Sequence, residues 1–303
     1  MPAPVVLFVY NRLQHTRQTV EALLRNRGAA ETELLVFLDG PRSEKDIDAV
    51  RDVRSYVGQT KGFRSIELIP SERNLGLATS IIRGVSEVLK LHGRAIVVED
   101  DLVSSPGFLS YMNQGLDHYE SEPQVASIHG YVYPVKGSLP QSFFLRGADC
   151  WGWATWKHAW ACFEPDGAKL MQRLRVSKLE AEFDRYYFSS LVGMLKDQIE
   201  GRNDSWAIRW IASTFLLGKH TLYPGVSLIR NIGFDNSGRH CGVTTHFDVE
   251  IDSRSDIDLR RIPVEEDRTA FRLFEEYYRS VNPSYSQPNS WLWRLARRAL
   301  RGT

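Results

Sequence analysis

The chain has 303 residues, of which 43% are hydrophobic, and its formal net charge is +1. This composition supports a sizeable core in one large or two smaller domains, and the small net charge gives no reason to expect nucleic acid as a partner. Cys150, Cys162 and Cys241 show no paired spacing, which argues against a disulfide framework or a zinc site and favours a reducing compartment. The N-terminal apolar run is too short for a signal peptide or a membrane span, so the sequence predicts a cytoplasmic protein.

The first third of the chain alternates predicted strands with predicted helices. Apolar runs predict strands over residues 4–10, 32–39, 65–70 and 94–100. Helical spacing of apolar residues predicts helices from residue 12, over 44–57, over 77–92 and from about residue 107. Ser43 and Asp46 match a capping box for the second helix, and Ser105–Pro106 offers an N-cap and a first-turn proline for the fourth. This alternation predicts an α/β fold with a mostly parallel sheet flanked by helices.

The pattern changes after Pro134. Aromatic residues crowd residues 143–167, charged helical sequence covers 177–200, and a polar, glycine-containing stretch covers 230–247. We predict a nucleotide-sugar-binding half over residues 1–130, an acceptor and catalytic half over 131–245, and a helical C-terminal tail over 246–303. No linker-like sequence separates the first two, so we expect them to pack as one body.

Three adjacent acids, Glu99, Asp100 and Asp101, follow the fourth predicted strand. Open α/β sheets bind ligands at the carboxyl ends of their strands, and carboxylates there can hold a hard divalent cation. An exposed acidic turn, or a charge cluster at the start of a helix, explains the same three residues without any ligand. The local spacing leaves both interpretations open.

Three other chemistries of α/β sheets lack their motifs. The first strand is followed by Asn11 and Arg12 rather than by a G-x-G-x-x-G loop, which disfavours a dinucleotide-binding fold. The sequence contains neither a P-loop nor a G-x-S-x-G nucleophile elbow.

The segment RAIVVEDDLVSSPGFLSYM resembles the metal-binding segment of GT-A glycosyltransferases, specifically the N-acetylglucosaminyltransferase I type, which has a Glu-Asp-Asp variant of the D-x-D motif. The resemblance runs over residues 5–245, and one segment is also similar to glycosyltransferase family 2. The other segments that carry it are VVLFVYNR, LLVFLDG, ERNLGLATSIIRGVSEVL, DCWGWATWKHAW and NDSWAIR. It implies a GT-A fold, a nucleotide-sugar donor, most simply a UDP-sugar, and a Mn2+ or Mg2+ cofactor.

The resemblance also implies roles for individual residues on the donor side. Asp101 would bind the metal, Asp100 the ribose, and Glu99 the donor sugar or a metal-bound water. Arg12 and Asp39 would hold the base of the nucleotide, although each also suits a helix start or a turn. Arg83 is a weaker nucleotide candidate, since a solvated helix face explains it equally well.

Asp204 is the candidate general base. An inverting transferase needs one carboxylate to deprotonate the acceptor hydroxyl, and the neighbouring Trp206 could support its pKa and stack on the sugar. An N-cap role for the following helix is the alternative for Asp204, and Asp149 is a second candidate base. Asn203 stands where the family has an aromatic residue.

Two further groups complete the predicted site. Residues 231–242 are polar and small, as in a mobile lid, with Arg239 as a candidate diphosphate contact and His240 as a candidate metal ligand. Trp151 and Trp153 are expected near the acceptor.

The nearby Trp156 and Trp160 are expected in the core, since their spacing suits a helix face. Residues 291–301 match a short basic amphipathic helix that either lies on an anionic membrane or docks on the protein itself.

These observations lead to a prediction of an inverting, metal-dependent glycosyltransferase acting on a glycan or lipid-linked glycan. Without a signal anchor, surface-polysaccharide synthesis in a bacterial cytoplasm, with peripheral contact at the inner membrane face, fits best. Two alternatives stay open: a sugar-phosphate nucleotidyltransferase, and a catalytically dead protein that binds nucleotide sugars or glycans.

Overall fold

A computed structural model of the protein describes residues 1–186, 190–237 and 244–281. The strands are β1 (Val5–Val9), β2 (Glu33–Leu38), β3 (Ser65–Pro70), β4 (Arg94–Glu99), β5 (Leu102–Ser104), β6 (Val125–His129), β7 (Ser142–Arg146), β8 (Trp153–Trp156), β9 (His220–Pro224) and β10 (Ile229–Asn231). The α-helices are α1 (Leu13–Leu24), α2 (Ile47–Gln59), α3 (Leu77–His92), α4 (Phe108–His118), α5 (Lys157–Trp160), α6 (Gly167–Val176), α7 (Glu180–Tyr186), α8 (Leu191–Ile199), α9 (Trp206–Leu216) and α10 (Arg268–Val281).

Eight strands form one sheet in the order β3-β2-β1-β4-β8-β6-β9-β7, and β5 pairs with β10 in a separate two-stranded sheet. Strands β1 to β4 run parallel to one another. β8 runs antiparallel to both of its neighbours, β4 and β6, so β6 has the same direction as β4. The predicted α/β fold with a mostly parallel sheet flanked by helices is confirmed. The sheet also continues across residue 130, so the two predicted halves share one backbone scaffold.

The central strands are apolar on both sides because helices cover both faces of the sheet. One face packs Leu7, Val36 and Val98 against α1, α2 and α4. The opposite face packs Phe8 and Val97 against α3, α5 and α9. Helices α6 to α9 enclose a smaller core of their own beside the second face.

Two of the predicted helix starts can be compared with the structure. Ser43 and Asp46 form the predicted capping box, which leads into α2. The helix α4 begins within one residue of the predicted start, but its predicted N-cap is wrong: Gly107 is the N-cap residue, and the Ser105 hydroxyl is buried with no hydrogen-bond partner in the described part of the chain. Only the backbone carbonyl of Ser105 takes part, accepting from the amide of Phe108 at 3.2 Å.

The C-terminal region begins with an extended segment and ends in α10. Residues 249–264 run along α4, where the Gln114 side chain donates to the carbonyl of Ile257 and accepts from the amide of Leu259. Helix α10 then packs against β7, with the Phe274 ring 5.8 Å from that of Phe143. Residues 249–264 contain no helix, so within the described residues the predicted tail is helical only in α10.

The basic amphipathic segment 291–301 lies outside the described residues, and its membrane contact stays a prediction. Liposome flotation with and without residues 291–303 would test it. No helix in the described ranges has the length and apolar character needed to cross a membrane.

Candidate active site

The residues expected on the donor side lie at one edge of the sheet. Arg12 follows β1, Asp39 follows β2, and Glu99 ends β4, all at the carboxyl ends of parallel strands. Phe8 pairs with Glu99 across β1 and β4, and the Asp39 amide donates to the Val9 carbonyl at 3.1 Å. This edge is where open α/β sheets bind their ligands.

The three acids divide between the two faces of the sheet. Side chains alternate along a strand, so Glu99 points to the same face as Val97, the face covered by α3 and α9. Asp100 turns towards α1 on the other face, where its carbonyl accepts a hydrogen bond from the Thr19 hydroxyl at 2.8 Å. Thr19 was not predicted from the sequence, because a buried threonine on a helix carries no local sign of its partner.

Arg12 lies between two of the carboxylates. Its Nη2 is 2.9 Å from Asp101 Oδ2 and also contacts Asp100 Oδ1, while its Nε is 3.4 Å from Asp100 Oδ2. Burial opposes the charge on Arg12, but Asp100 and Asp101 outweigh that cost and raise its pKa. Arg12 and Asp101 each keep a small solvent-exposed fraction, 19% and 15% of the side chain.

The acids 99–101 lie close to one another, and the pKa values of two of them are raised. Burial, with the charges of Asp101 and Asp100, raises the pKa of Glu99 to about 8. Burial also raises the pKa of Asp100 to about 6, although Arg12 opposes that shift. No described residue donates a hydrogen bond to the Glu99 carboxylate. Three neighbouring acids therefore share one guanidinium, which contacts Asp100 and Asp101, and two negative charges need protons or a cation to balance them.

The chain that follows β10 passes directly over Asp101. The Ile232 amide donates to the Asp101 carbonyl at 2.9 Å. Gly233 lies so close that an added Cβ would be 2.2 Å from Asp101 Oδ2. Further on, Asp235 Oδ2 is 3.1 Å from His15 Nε2 on α1. Sequence reasoning missed Gly233, because it becomes a neighbour of the acids only through the pairing of β5 with β10. It also missed His15, since nothing in the sequence around α1 indicates an ion pair with a residue 220 positions later.

Arg239 and His240 lie outside the described residues, so their predicted contacts with diphosphate and metal stay predictions.

Asp39 has an internal role in the structure. Its Oδ1 accepts from the amides of Gly40 and Leu75, and its Oδ2 accepts from the Gly76 amide and the Asn74 side chain, at 2.8–3.0 Å. Asp39 therefore fixes the loop that leads into α3 against the end of β2.

The acceptor-side candidates Trp151 and Asp149 precede β8. Val97 of β4 pairs with Trp153 of β8, and the chains continue from that pair to Glu99 and to Trp151 at the same end of the sheet. The Trp151 ring is partly buried among aromatic rings, 4.7 Å from Tyr131.

Asp149 is buried. It accepts from the Tyr133 hydroxyl at 2.9 Å and from the Cys150 amide at 2.8 Å. Its carboxylate is therefore committed to protein donors in this structure.

Trp153 and Trp206 do not offer a sugar-binding surface. They are 0% and 3% exposed, and their rings stack on each other at 5.5 Å within a cluster that includes Trp160 and Trp210. The expected acceptor contact for these two residues is corrected: large rings at this spacing fill the core under α9. Trp156 and Trp160 are buried, as predicted.

Asp204 lies just before α9, and its side chain is 69% exposed, 3.2 Å from Arg209 Nη2. It is not the helix cap, since Ser205 is the N-cap residue and accepts from the Ile208 amide at 3.2 Å. The Trp153–Trp206 stack holds this end of α9 beside the start of β8. Arg83, the weaker candidate, is exposed and pairs with Glu87 one helical turn away.

The carboxylates at the sheet edge are suited to bind a divalent cation if substrate phosphates supply some of its ligands. In the described ranges, no group of three or more His, Cys, Asp or Glu side chains is placed to hold a metal ion by itself. The carboxylates of Asp100 and Asp101 nonetheless lie side by side at this edge, both in contact with Arg12, and no described residue donates a hydrogen bond to the Glu99 carboxylate. Mg2+ is commonly bound by one or two carboxylates together with water and substrate phosphates.

No protein-family model and no curated protein matches the chain. Among solved structures, it is similar to the mannosyltransferase PcManGT from Pyrobaculum calidifontis in complex with GDP-Man and Mn2+, at 14% identity and a TM-score of 0.31, over 44% of this chain and 38% of that one. It is also similar to S. aureus TarS, at 16% identity and a TM-score of 0.32, over 49% and 25% of the two chains. For S. aureus TarS 1–349 the values are 14%, 0.32, 50% and 42%. The chain thus spans less than half the length of each of these structures.

Proposed function

We propose that this protein is an inverting, divalent-metal-dependent glycosyltransferase. It would move a sugar from a nucleotide-sugar donor, most simply a UDP-sugar, to a hydroxyl of a glycan or lipid-linked glycan during surface-polysaccharide synthesis. The observation that carries the proposal is the meeting of Arg12, Asp39 and the three acids 99–101 at the carboxyl edge of the sheet.

On the donor side, the loop that Asp39 fixes would form the wall of the nucleotide pocket. The four hydrogen bonds that Asp39 already accepts supply most of what a carboxylate can accept, so its contribution to base binding would come through Asn74–Gly76. Asp100 would face the ribose and Glu99 the donor sugar.

Asp101 would hold the cation. When bound, a divalent cation neutralises charge that develops on the departing diphosphate. Asp100 would keep that end of the pocket negative, which favours a cation over an unaccompanied phosphate. Gly233 would keep the Asp101 carboxylate free to reach its ligand.

On the acceptor side, Asp204 would act as the general base. Its exposed carboxylate is accessible to the hydroxyl of an acceptor that binds from solvent. One base is sufficient for an inverting displacement. Asp149 stays the second candidate, although its bonds to Tyr133 and Cys150 would have to loosen first. Trp151 would be the aromatic residue nearest the sugar ring.

The test is a screen of nucleotide sugars with Mn2+, using wild type and two matched aspartate variants. We expect Asp101→Asn to lose donor hydrolysis and Asp52→Asn, an exposed aspartate on α2 far along the chain, to retain it. Retained hydrolysis in Asp101→Asn would contradict the metal role.

With a true acceptor in hand, Asp204→Asn should lower kcat by about 10²- to 10⁴-fold, the usual contribution of a general base. Full activity in that variant would move the assignment to Asp149. Binding without turnover for every donor and acceptor would identify a dead nucleotide-sugar-binding protein. Formation of a nucleotide sugar from a nucleoside triphosphate and a sugar phosphate would identify a nucleotidyltransferase.

A further inference from the structure

The backbone of Arg12 is hydrogen-bonded at the start of α1, and its side chain is partly exposed to solvent. Arg12 precedes α1, and its carbonyl accepts from the Thr16 amide at 2.9 Å and from the Thr16 hydroxyl at 3.0 Å. The guanidinium lies at the end of a flexible stem between Asp100 and Asp101, at the rim of the site rather than sealed beneath it.

The guanidinium occupies the carboxylate oxygens that would be most useful to a metal ion. Asp101 Oδ2, the oxygen beside Gly233, accepts from Arg12 Nη2, and both oxygens of Asp100 lie within reach of the same group. Among the described residues, the other cationic candidate nearby is His15, which is paired with Asp235. Arg12 is therefore the positive charge that holds this pair of carboxylates together when no ligand is bound.

We propose that Arg12 is an internal counter-cation that exchanges partners: it leaves Asp101 when a divalent cation arrives and then contacts the donor diphosphate. The inference rests on the proposed function, and it assigns Arg12 to the phosphates rather than to the nucleotide base. A guanidinium pairs with phosphate as readily as with carboxylate, through the same two-pronged geometry. The exchange leaves the Arg12 guanidinium paired with an anion both before and after the ligands bind.

This arrangement makes cation and diphosphate binding cooperative. A cation that arrives alone must compete with Arg12 for Asp101, and a diphosphate that arrives alone meets three carboxylates. When both bind, Arg12 moves to the diphosphate, so each ligand removes an obstacle to the other. Coupling of this kind is reciprocal, so it can be measured from either ligand.

The experiment measures Mn2+ binding by calorimetry, with and without UDP, in wild type, Arg12→Gln, Arg12→Lys and Asp101→Asn. Without UDP, we expect Arg12→Gln to bind Mn2+ at least about tenfold more tightly than wild type, because a competing unit charge is gone. UDP should raise Mn2+ affinity less in Arg12→Gln than in wild type. Arg12→Lys, which keeps the charge, should stay close to wild type without UDP.

Two results separate this inference from the proposed function. If wild type binds Mn2+ through Asp101 but Arg12→Gln binds it no more tightly, or gains as much from UDP, the counter-cation role is wrong and the metal site stands. If wild type does not bind Mn2+ even with UDP, the metal site is wrong and both proposals fail.

A measurement on the wild type covers the case in which Arg12→Gln does not fold. In 15N-labelled protein, the Arg12 Nη–H resonance reports the contacts with Asp101 and Asp100, and Arg12→Lys identifies it by its absence. Addition of Mg2+ with UDP should shift this resonance. An unchanged resonance at saturating ligand would overturn the partner exchange.

Discussion

Gly233 is a position at which one methyl group should disturb the candidate metal site. An added Cβ would lie 2.2 Å from Asp101 Oδ2, so Gly233→Ala must push that carboxylate out of its present place. Overpacking of this kind costs about 1–3 kcal/mol, and we expect Mn2+ affinity in the presence of UDP to fall at least about tenfold, as measured by calorimetry.

Gly58→Ala is the matched control for Gly233→Ala. Gly58 lies on the exposed side of α2, where a new Cβ would be in ordinary contact with Leu68 at 3.6 Å. This variant should bind Mn2+ as wild type does and unfold at an equal or slightly higher temperature, since alanine favours helix. Wild-type Mn2+ binding by Gly233→Ala would show that the position of the Asp101 carboxylate does not matter.

Asp39 should prove important for stability as well as for binding. In Asp39→Asn, one acceptor oxygen becomes an amide group that faces N–H donors of residues 74–76, leaving at least one of them unpaired. We expect the free energy of unfolding in urea to fall by about 1–3 kcal/mol. Asp52→Asn, on an exposed helix face, should change it by less than about 0.5 kcal/mol. Equal losses in the two variants would contradict the anchoring role.

Asp39 also shows what single residues reveal in a sequence. An acid after an apolar strand is a visible sign of a sheet-edge residue, and Asp39, Arg12 and the three acids do meet at one edge. Their partners were not visible, because they lie far away in the chain: Asp39 bonds residues 35–37 positions later, and Arg12 bonds acids 88 and 89 positions later.

At the scale of elements, the start of α9 assigns different tasks to two adjacent residues. Ser205→Ala removes the side chain that accepts from the Ile208 amide, and should lower the free energy of unfolding by about 1 kcal/mol. Asp204→Asn leaves the cap in place and alters an exposed ion pair, so its effect on stability should stay below about 1 kcal/mol.

Urea unfolding of the two α9 variants, alongside transferase assays, would test this division. Ser205→Ala should retain a higher turnover than Asp204→Asn at a temperature where both are folded. A loss of stability in Asp204→Asn as large as that in Ser205→Ala would show that Asp204 supports the helix after all.

Elements with local signals were the ones that could be predicted closely. α3 covers residues 77–92 as expected. Its apolar spacing and its two flanking glycines, Gly76 and Gly93, lie in one continuous segment, so the local sequence is sufficient to predict it. The N-cap of α4 was assigned to the wrong residue, since Gly107 is required by a distant contact: an added Cβ would be 2.7 Å from the carbonyl of Arg254. Capping rules consider only the residues around a helix end, so they cannot detect a contact with Arg254, which lies 147 positions away.

At the scale of the molecule, the sequence indicated the layers but not the order of the strands. β8 runs antiparallel between β4 and β6, and this one insertion brings residues 149–151 to the edge that holds the three acids. Strand order depends on pairings between distant segments, which periodicity does not report. For the same reason, the burial of Trp153 and Trp206 under α9 could not be distinguished from an open aromatic groove.

The segment that crosses from the second half back over α4 should make stability depend on pH. Asp252 is buried, its amide donates to the Ser227 carbonyl at 2.8 Å, and its carboxylate accepts from the backbone and side chain of Arg254. The hydrogen bonds from Arg254 hold the pKa of Asp252 below its usual value. A lowered pKa in the folded state contributes stability above the pKa of the unfolded chain, about 3.9, and that contribution is lost as the pH falls through the lower, folded value.

Asp252→Asn should therefore be less stable than wild type at pH 7, and the difference should shrink as the pH falls below about 4, where wild-type Asp252 also becomes neutral. Urea unfolding of both proteins between pH 7 and pH 3 measures this difference directly. Asp52→Asn provides the comparison for an exposed carboxylate and should follow the wild-type pH dependence closely. A difference between wild type and Asp252→Asn that stays constant over the whole range would mean that the charge on Asp252 does not hold this segment in place.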